Sequence, residues 1–170
     1  MARKAKQQVN VGDVFQIPID DSRVGYGQVV LKPEEPVLFI CVFAMTTPPG
    51  ALADVDEIVR SDILLAGSTF NALINNGHWT IVGNVTANLP SIALPVYKSM
   101  REDGMIIETL DRSRSRKASR QEESSLPFRT YTAPIGFELA LKAIGGVGEW
   151  LPEYDDMKYE SLKLSSNVVV

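Results

Sequence analysis

The chain has one cysteine and one histidine in 170 residues. A lone cysteine forms no intrachain disulfide, so the fold is not a stapled secreted scaffold. A zinc site built on His and Cys needs three or four such ligands, and Cys41 and His78 cannot supply them. A Ser-His-Asp arrangement has only His78 to draw on, and no Gly-x-Ser-x-Gly elbow accompanies it. Phosphate-cradling Gly-x-x-x-x-Gly-Lys-Ser/Thr runs are missing too. No cofactor and no metal is expected.

Long apolar runs are also scarce. The longest, Pro36 to Met45, is about half of the ~20 residues that a membrane span needs. The basic start, Met1 to Gln8, is followed by no apolar segment of the kind that a secretory signal carries. The chain is therefore expected to stay in the cytoplasm, away from membranes. A basic surplus is lacking as well: 17 Lys and Arg stand against 21 Asp and Glu. Phosphate neutralisation supplies much of nucleic-acid affinity, so this balance argues against a nucleic-acid binder. It suits a basic protein partner.

What is present reads as an α+β domain. Phe15, Ile17 and Ile19 alternate, which predicts a half-buried strand, with Pro18 marking a sheet edge along the strand or at this end of it. A turn at Asp20–Gly25 leads to a second strand, Tyr26 to Leu31, whose glycine allows a bulge or a close backbone approach. The unbroken run from Pro36 predicts a strand buried on both faces, with Cys41 as a small core residue. Leu52, Val55, Ile58, Val59 and Ile63 recur at helical spacing.

Beyond these come a short strand at 64–69 and a short helix stopped by Asn76-Gly77. His78 then sits as a turn or surface residue, and strands follow at 79–83, 105–110 and 128–132. The stretch from Asn84 to Lys98 is irregular. Pro134 and Gly145-Gly146 bracket a helix with Phe137, Ala140, Leu141 and Ile144 inside and a Glu138–Lys142 pair outside. The basic-then-acidic segment Arg112 to Glu123 predicts an exposed connector. The expected organisation is a flexible start at 1–8, one domain at 9–160 and a tail at 161–170. The sheet is expected to be mostly antiparallel and to curl toward a barrel, with two or three packed helices.

Two stretches together resemble the immunity protein 26 family. Gly12-Asp13-Val14-Phe15-Gln16-Ile17-Pro18-Ile19, the turn Asp20-Asp21-Ser22-Arg23, and Gly25-Tyr26-Gly27-Gln28-Val29 are similar to its opening strand, turn and strand. Asn76-Gly77-His78-Trp79-Thr80-Ile81-Val82-Gly83 is similar to its second signature, and the helix from Pro134 and the Tyr154-Asp155 region sit about where the family ends. Ser22 stands where glycine is common in the turn, Ile19 stands for leucine, and the Arg/Ser segment at 112–120 has no counterpart. The resemblance implies a cytoplasmic, non-catalytic protein that binds a delivered bacterial toxin domain and blocks it. Hot spots favour Tyr, Trp and Arg, and acidic groups steer a basic partner. Asp20, Asp21, Arg23, Tyr26 and Trp79 are therefore the candidate toxin-binding residues, with core packing as the competing role for Tyr26 and Trp79. The residues alone leave two other readings: a nucleic-acid or peptide-binding β-barrel module using the Arg/Ser segment, and a hydrolase built on carboxylates.

Overall fold

The structure is a computed structural model and describes residues 7–170. The flexible start expected over 1–8 falls, for residues 1–6, outside the described residues.

Strand β1 (Asp13–Asp20) and strand β2 (Arg23–Glu34) form a hairpin closed by Asp21-Ser22. Strand β3 (Val37–Thr47) pairs with β2, β4 (Ile63–Phe70) with β3, and β5 (Thr80–Asn84) with β1, all antiparallel. The sheet order is β4-β3-β2-β1-β5. The two outer strands do not pair with each other, so the sheet is open and not a closed barrel. Its central strands are apolar on both faces, and an open sheet of that kind needs a cover on each face. Pro18 lies past Gln16, where β5 stops pairing with β1, so its missing N–H costs no ladder bond. Gly27 makes the close approach, because a Cβ there falls 2.6 Å from the Phe15 ring.

One face carries Phe15, Ile17, Ile19, Leu38, Ile40 and Val42. It is covered by helix α2 (Ala72–Asn75), helix α4 (Pro134–Ile144) and a 3-10 turn at Pro152–Met157. The other face carries Val14, Tyr26, Phe39, Cys41 and Phe43. Ile58 of helix α1 (Val55–Arg60) and Leu162 of helix α5 (Tyr159–Ser165) cover it. Each fully buried Phe or Ile contributes about 1.5–3 kcal/mol relative to exposure. Cys41 is wholly enclosed and burial pushes its thiol pKa up, so it serves as packing.

A second sheet, order β6-β7-β8, is built from β6 (Val96–Arg101), β7 (Gly104–Thr109) and β8 (Ser115–Lys117). Its own core is small: Val96, Ile107 and Leu126.

Several elements differ from expectation. Helix α1 starts at Val55, because the Asp54 side chain accepts from the Asp56 N–H at 2.9 Å and caps it. Leu52 lies outside the helix, fully exposed, and Ile63 belongs to β4. The segment 128–132 is not a strand; it touches two sheet edges through single bridges, Phe128 with Lys98 and Tyr131 with Ser68. The Arg/Ser segment is exposed and forms β8 and helix α3 (Arg120–Ser125), which opens with a capping box between Ser119 and Glu122. The chain end also packs: Leu162 and Ser165 are buried, and the Ser165 hydroxyl accepts from the Val96 N–H at 3.2 Å. Helix α4 keeps its expected limits, but Glu138 points inward and is 2 % exposed.

Candidate protein-binding surface

The β1–β2 hairpin ends in a charged tip. Ser22 follows β1 with its N–H and its hydroxyl both donating to Asp20 Oδ1 at 2.9 Å. Arg23 donates to Asp20 Oδ2 through Nε at 3.0 Å and Nη2 at 2.6 Å. The same Nη2 reaches the Gly145 carbonyl at 2.9 Å, just past the end of helix α4. Arg23, and then Ser22, hold the Asp20 carboxyl at a pKa of about 2. The tip is thus a pre-formed turn pinned to a helix end, with Asp21 exposed at its apex.

Asp20, Asp21 and Arg23 are brought together here; Tyr26 and Trp79 are not. Tyr26 is fully buried on the α1 face, with its hydroxyl 2.6 Å from the Thr47 hydroxyl. Trp79 is 1 % exposed on the α4 face, stacked on Phe15 with ring centroids 5.1 Å apart. A buried indole N–H needs an acceptor, and Trp79 finds Glu138 at 3.1 Å. Both aromatics support the surface from behind and present no appreciable side-chain area of their own.

Glu138 gathers three donors. Besides Trp79 it accepts from Lys142 Nζ at 2.8 Å and lies 2.8 Å from Nε2 of the half-exposed His78. Burial pushes its pKa up, but the bonds from Lys142, Trp79 and His78 outweigh that, and the carboxyl stays below its ordinary range. The cluster ties helix α4 to the 76–79 turn. A carboxylate beside a histidine is two parts of an acid–base set, but among the described residues no hydroxyl or thiol is bonded to either group. Among the described residues, no group of three or more His, Cys, Asp and Glu side chains is placed to hold a metal ion.

The second sheet holds another buried carboxylate. Glu108 accepts from the Ser99 hydroxyl at 2.6 Å and from Arg129 Nε at 3.3 Å, with Arg101 at 3.5 Å. Arg129 also donates to the carbonyls of Thr109 and Leu110. Burial pushes Glu108 up; Ser99, Arg129 and Arg101 outweigh it, leaving a lowered pKa. Neither buried glutamate was foreseen. Glu138 is disguised by its exposed-looking i,i+4 pairing with Lys142, and Glu108 by a strand too short to show alternation. A groove of about 830 Å³ lies between the α1–β4 corner and α5, bordered by Arg60, Asp62, Asn88, Tyr159 and Lys163.

A family model described as immunity protein 26 matches residues 10–105, which is more than half of the chain. The matched segment holds the whole five-stranded sheet and strand β6. Strand β8 and helices α3, α4 and α5 lie beyond it, so both regions that resemble the family's end, α4 itself and Tyr154-Asp155, fall outside the match. No curated protein and no solved structure matches the chain.

Proposed function

The chain belongs to the immunity protein 26 family, and on that premise we propose that it binds a cognate bacterial toxin domain in the cytoplasm and blocks it without chemistry of its own. The observation that carries this reading is the family match across the entire five-stranded sheet. The acidic balance agrees with a basic partner. No helix among the described residues is long and apolar enough to cross a membrane. Asp20, Asp21 and Arg23 offer a rigid charged knob, and a contact that is already ordered loses little entropy on binding. Tyr26 and Trp79 act through the strands that they hold in place.

The test is co-expression with the toxin domain encoded beside this chain, followed by affinity capture. Growth rescue together with a one-to-one complex supports the reading. A toxin that is neither captured nor neutralised overturns it.

One observation favours a second reading, nucleic-acid binding by the basic sheet. Residues 98–129 carry eight Lys and Arg against six Asp and Glu. The exposed rings of Phe128 and Tyr131 stand beside Lys98 and Arg112, which gives the Arg/Ser segment aromatic platforms that the sequence did not reveal. RNA binding that weakens steeply with salt is the signature of that role.

A further inference from the structure

The sheet edges of this molecule are not finished alike. The outer edge of β4 is bridged by Tyr131 at Ser68 and by Lys158 at Leu65. The outer edge of β6 is bridged by Phe128, and the Lys98 N–H donates to the Pro127 carbonyl at 2.9 Å. Strand β8 is three residues long and carries Arg116 and Lys117, and short length and charge both repel strange strands.

Strand β5 has none of these covers. Its five residues, Thr80-Ile81-Val82-Gly83-Asn84, are uncharged. Among the described residues, none outside β1 hydrogen-bonds its backbone between 80 and 84. Thr80, Val82 and Asn84 are exposed. Against β1 the register skips one residue, since Val14 faces Gly83 and Phe15 faces Ile81. Val82 is the extra residue of this bulge, and it is 40 % exposed. Such a row of unpaired amides and carbonyls is complementary to one thing, another extended strand.

The flank of this edge is acidic at the first turn of α1, and the one basic group of that helix, Arg60, lies in its last turn. The first turn of α1 lies against β5, because a Cβ on Gly83 falls 2.8 Å from the Val55 side chain. Around Val55 stand Asp54, Asp56 and Glu57, all exposed. Residues 61–97 contain no lysine and no arginine. A second copy of this chain brings the same acidic flank to the contact, so like charges oppose self-pairing. The hairpin tip extends past the end of β5, which stops opposite Gln16, and so the edge and the tip form one continuous margin.

Resting on the immunity reading above, we propose that β5 is the docking edge: it takes an extended strand of the toxin domain, basic where it passes Asp54, Asp56 and Glu57, as a sixth strand of the sheet.

The experiment uses the full chain and the toxin domain encoded beside it, inactivated by substitution for capture and exchange and active for growth rescue. Hydrogen exchange is read on the free and bound protein. Protection is expected to appear on binding in the amides of 80–84. In parallel, Val82→Lys and the pair Asp56→Lys/Glu57→Lys, both at exposed positions, are expected to weaken capture by on the order of tenfold or more. Their melting temperatures identify any folding defect, and exchange on the unsubstituted protein does not depend on them. Capture and rescue that persist in the variants, with protection elsewhere and none at 80–84, overturn the docking edge and leave the immunity reading standing. Protection of 80–84 that rises with protein concentration in the absence of toxin assigns the edge to a second copy and overturns the proposal. A wild-type protein that neither captures nor rescues removes the immunity reading, and this proposal with it.

Discussion

Each of the two sheets buries one glutamate, and the two do different work. Glu138 sits at the margin of a large apolar core that contains Phe15, Ile17, Leu38, Ile40, Val42 and Phe137. There the carboxylate adds little to cohesion and much to position, because it locks α4, which lies beyond the family match, onto Trp79 and His78, which lie inside it. Glu108 serves a sheet whose separate core holds only Val96, Ile107 and Leu126 as buried residues. With so little apolar area to bury, the small sheet leans on an ion pair and on the carbonyl bonds of Arg129. A buried ion pair is poor cohesion compared with packing, but it is costly to break on one side.

The largest effect is expected in the large core. Trp79→Ala removes the stack on Phe15 and one donor to Glu138, and it should cost about 3–5 kcal/mol in urea unfolding. Both sheets should unfold in that one transition, because Tyr97 of β6 and Leu110, just past the end of β7, belong to the core under the large sheet. Two separate transitions break the picture of one cooperative domain. Next comes Arg129→Met, expected to cost about 2–3 kcal/mol by leaving Glu108 buried with weaker partners. The pair Arg129→Met/Glu108→Leu should recover much of that loss, since no charge is then stranded. If the double variant is no more stable than the single one, the small sheet does not rest on the ion pair.

A third test turns on pH. Both glutamates have folded pKa values below the ordinary 4.5. For a lowered pKa, the stabilisation is complete above the unfolded value and is lost as pH falls through the folded one. Melting temperature should therefore drop below about pH 4.5. Glu138→Gln and Glu108→Gln should each flatten that acid limb and lower stability at neutral pH. A limb that keeps its slope in both variants assigns acid sensitivity to other carboxylates, of which Asp20, Asp111 and Glu122 are held at about 2.

The framework of the large sheet was readable because its signals are local and strong. The alternation of Phe15, Ile17 and Ile19, the unbroken run into β3, and the Pro134 and Gly145 brackets each need no partner to be recognised. The inward turn of Glu138 was not readable, because it depends on a tryptophan 59 positions away in the chain. The same holds for Tyr26 and Trp79: a large aromatic beside a motif has the composition of a hot spot and of a core, and long-range packing decides between them. The segment 128–132 has strand composition, yet it meets two different edges at one residue each and so forms no ladder. The open edge of β5 is a fact of strand order, and strand order is not written in any single segment.

The smallest effect is expected at α3, and it sharpens the contrast from the other side. Helix α3 has six residues and none of them is buried. Its order comes from its first turn: the Ser119 hydroxyl accepts from the Glu122 N–H at 3.3 Å, Glu122 accepts from the Ser119 N–H at 2.8 Å, and Arg116 grips the same carboxylate at 2.7 and 2.9 Å. Ser119→Ala removes one member of this set and should cost about 1 kcal/mol of local helix stability. Because α3 contributes no side chain to any core, that loss should appear as faster amide exchange within residues 120–125 and leave the urea midpoint almost unmoved. A midpoint that falls as far as it does for Arg129→Met makes α3 part of the cooperative domain, and the small sheet is then held by its cap as much as by Glu108.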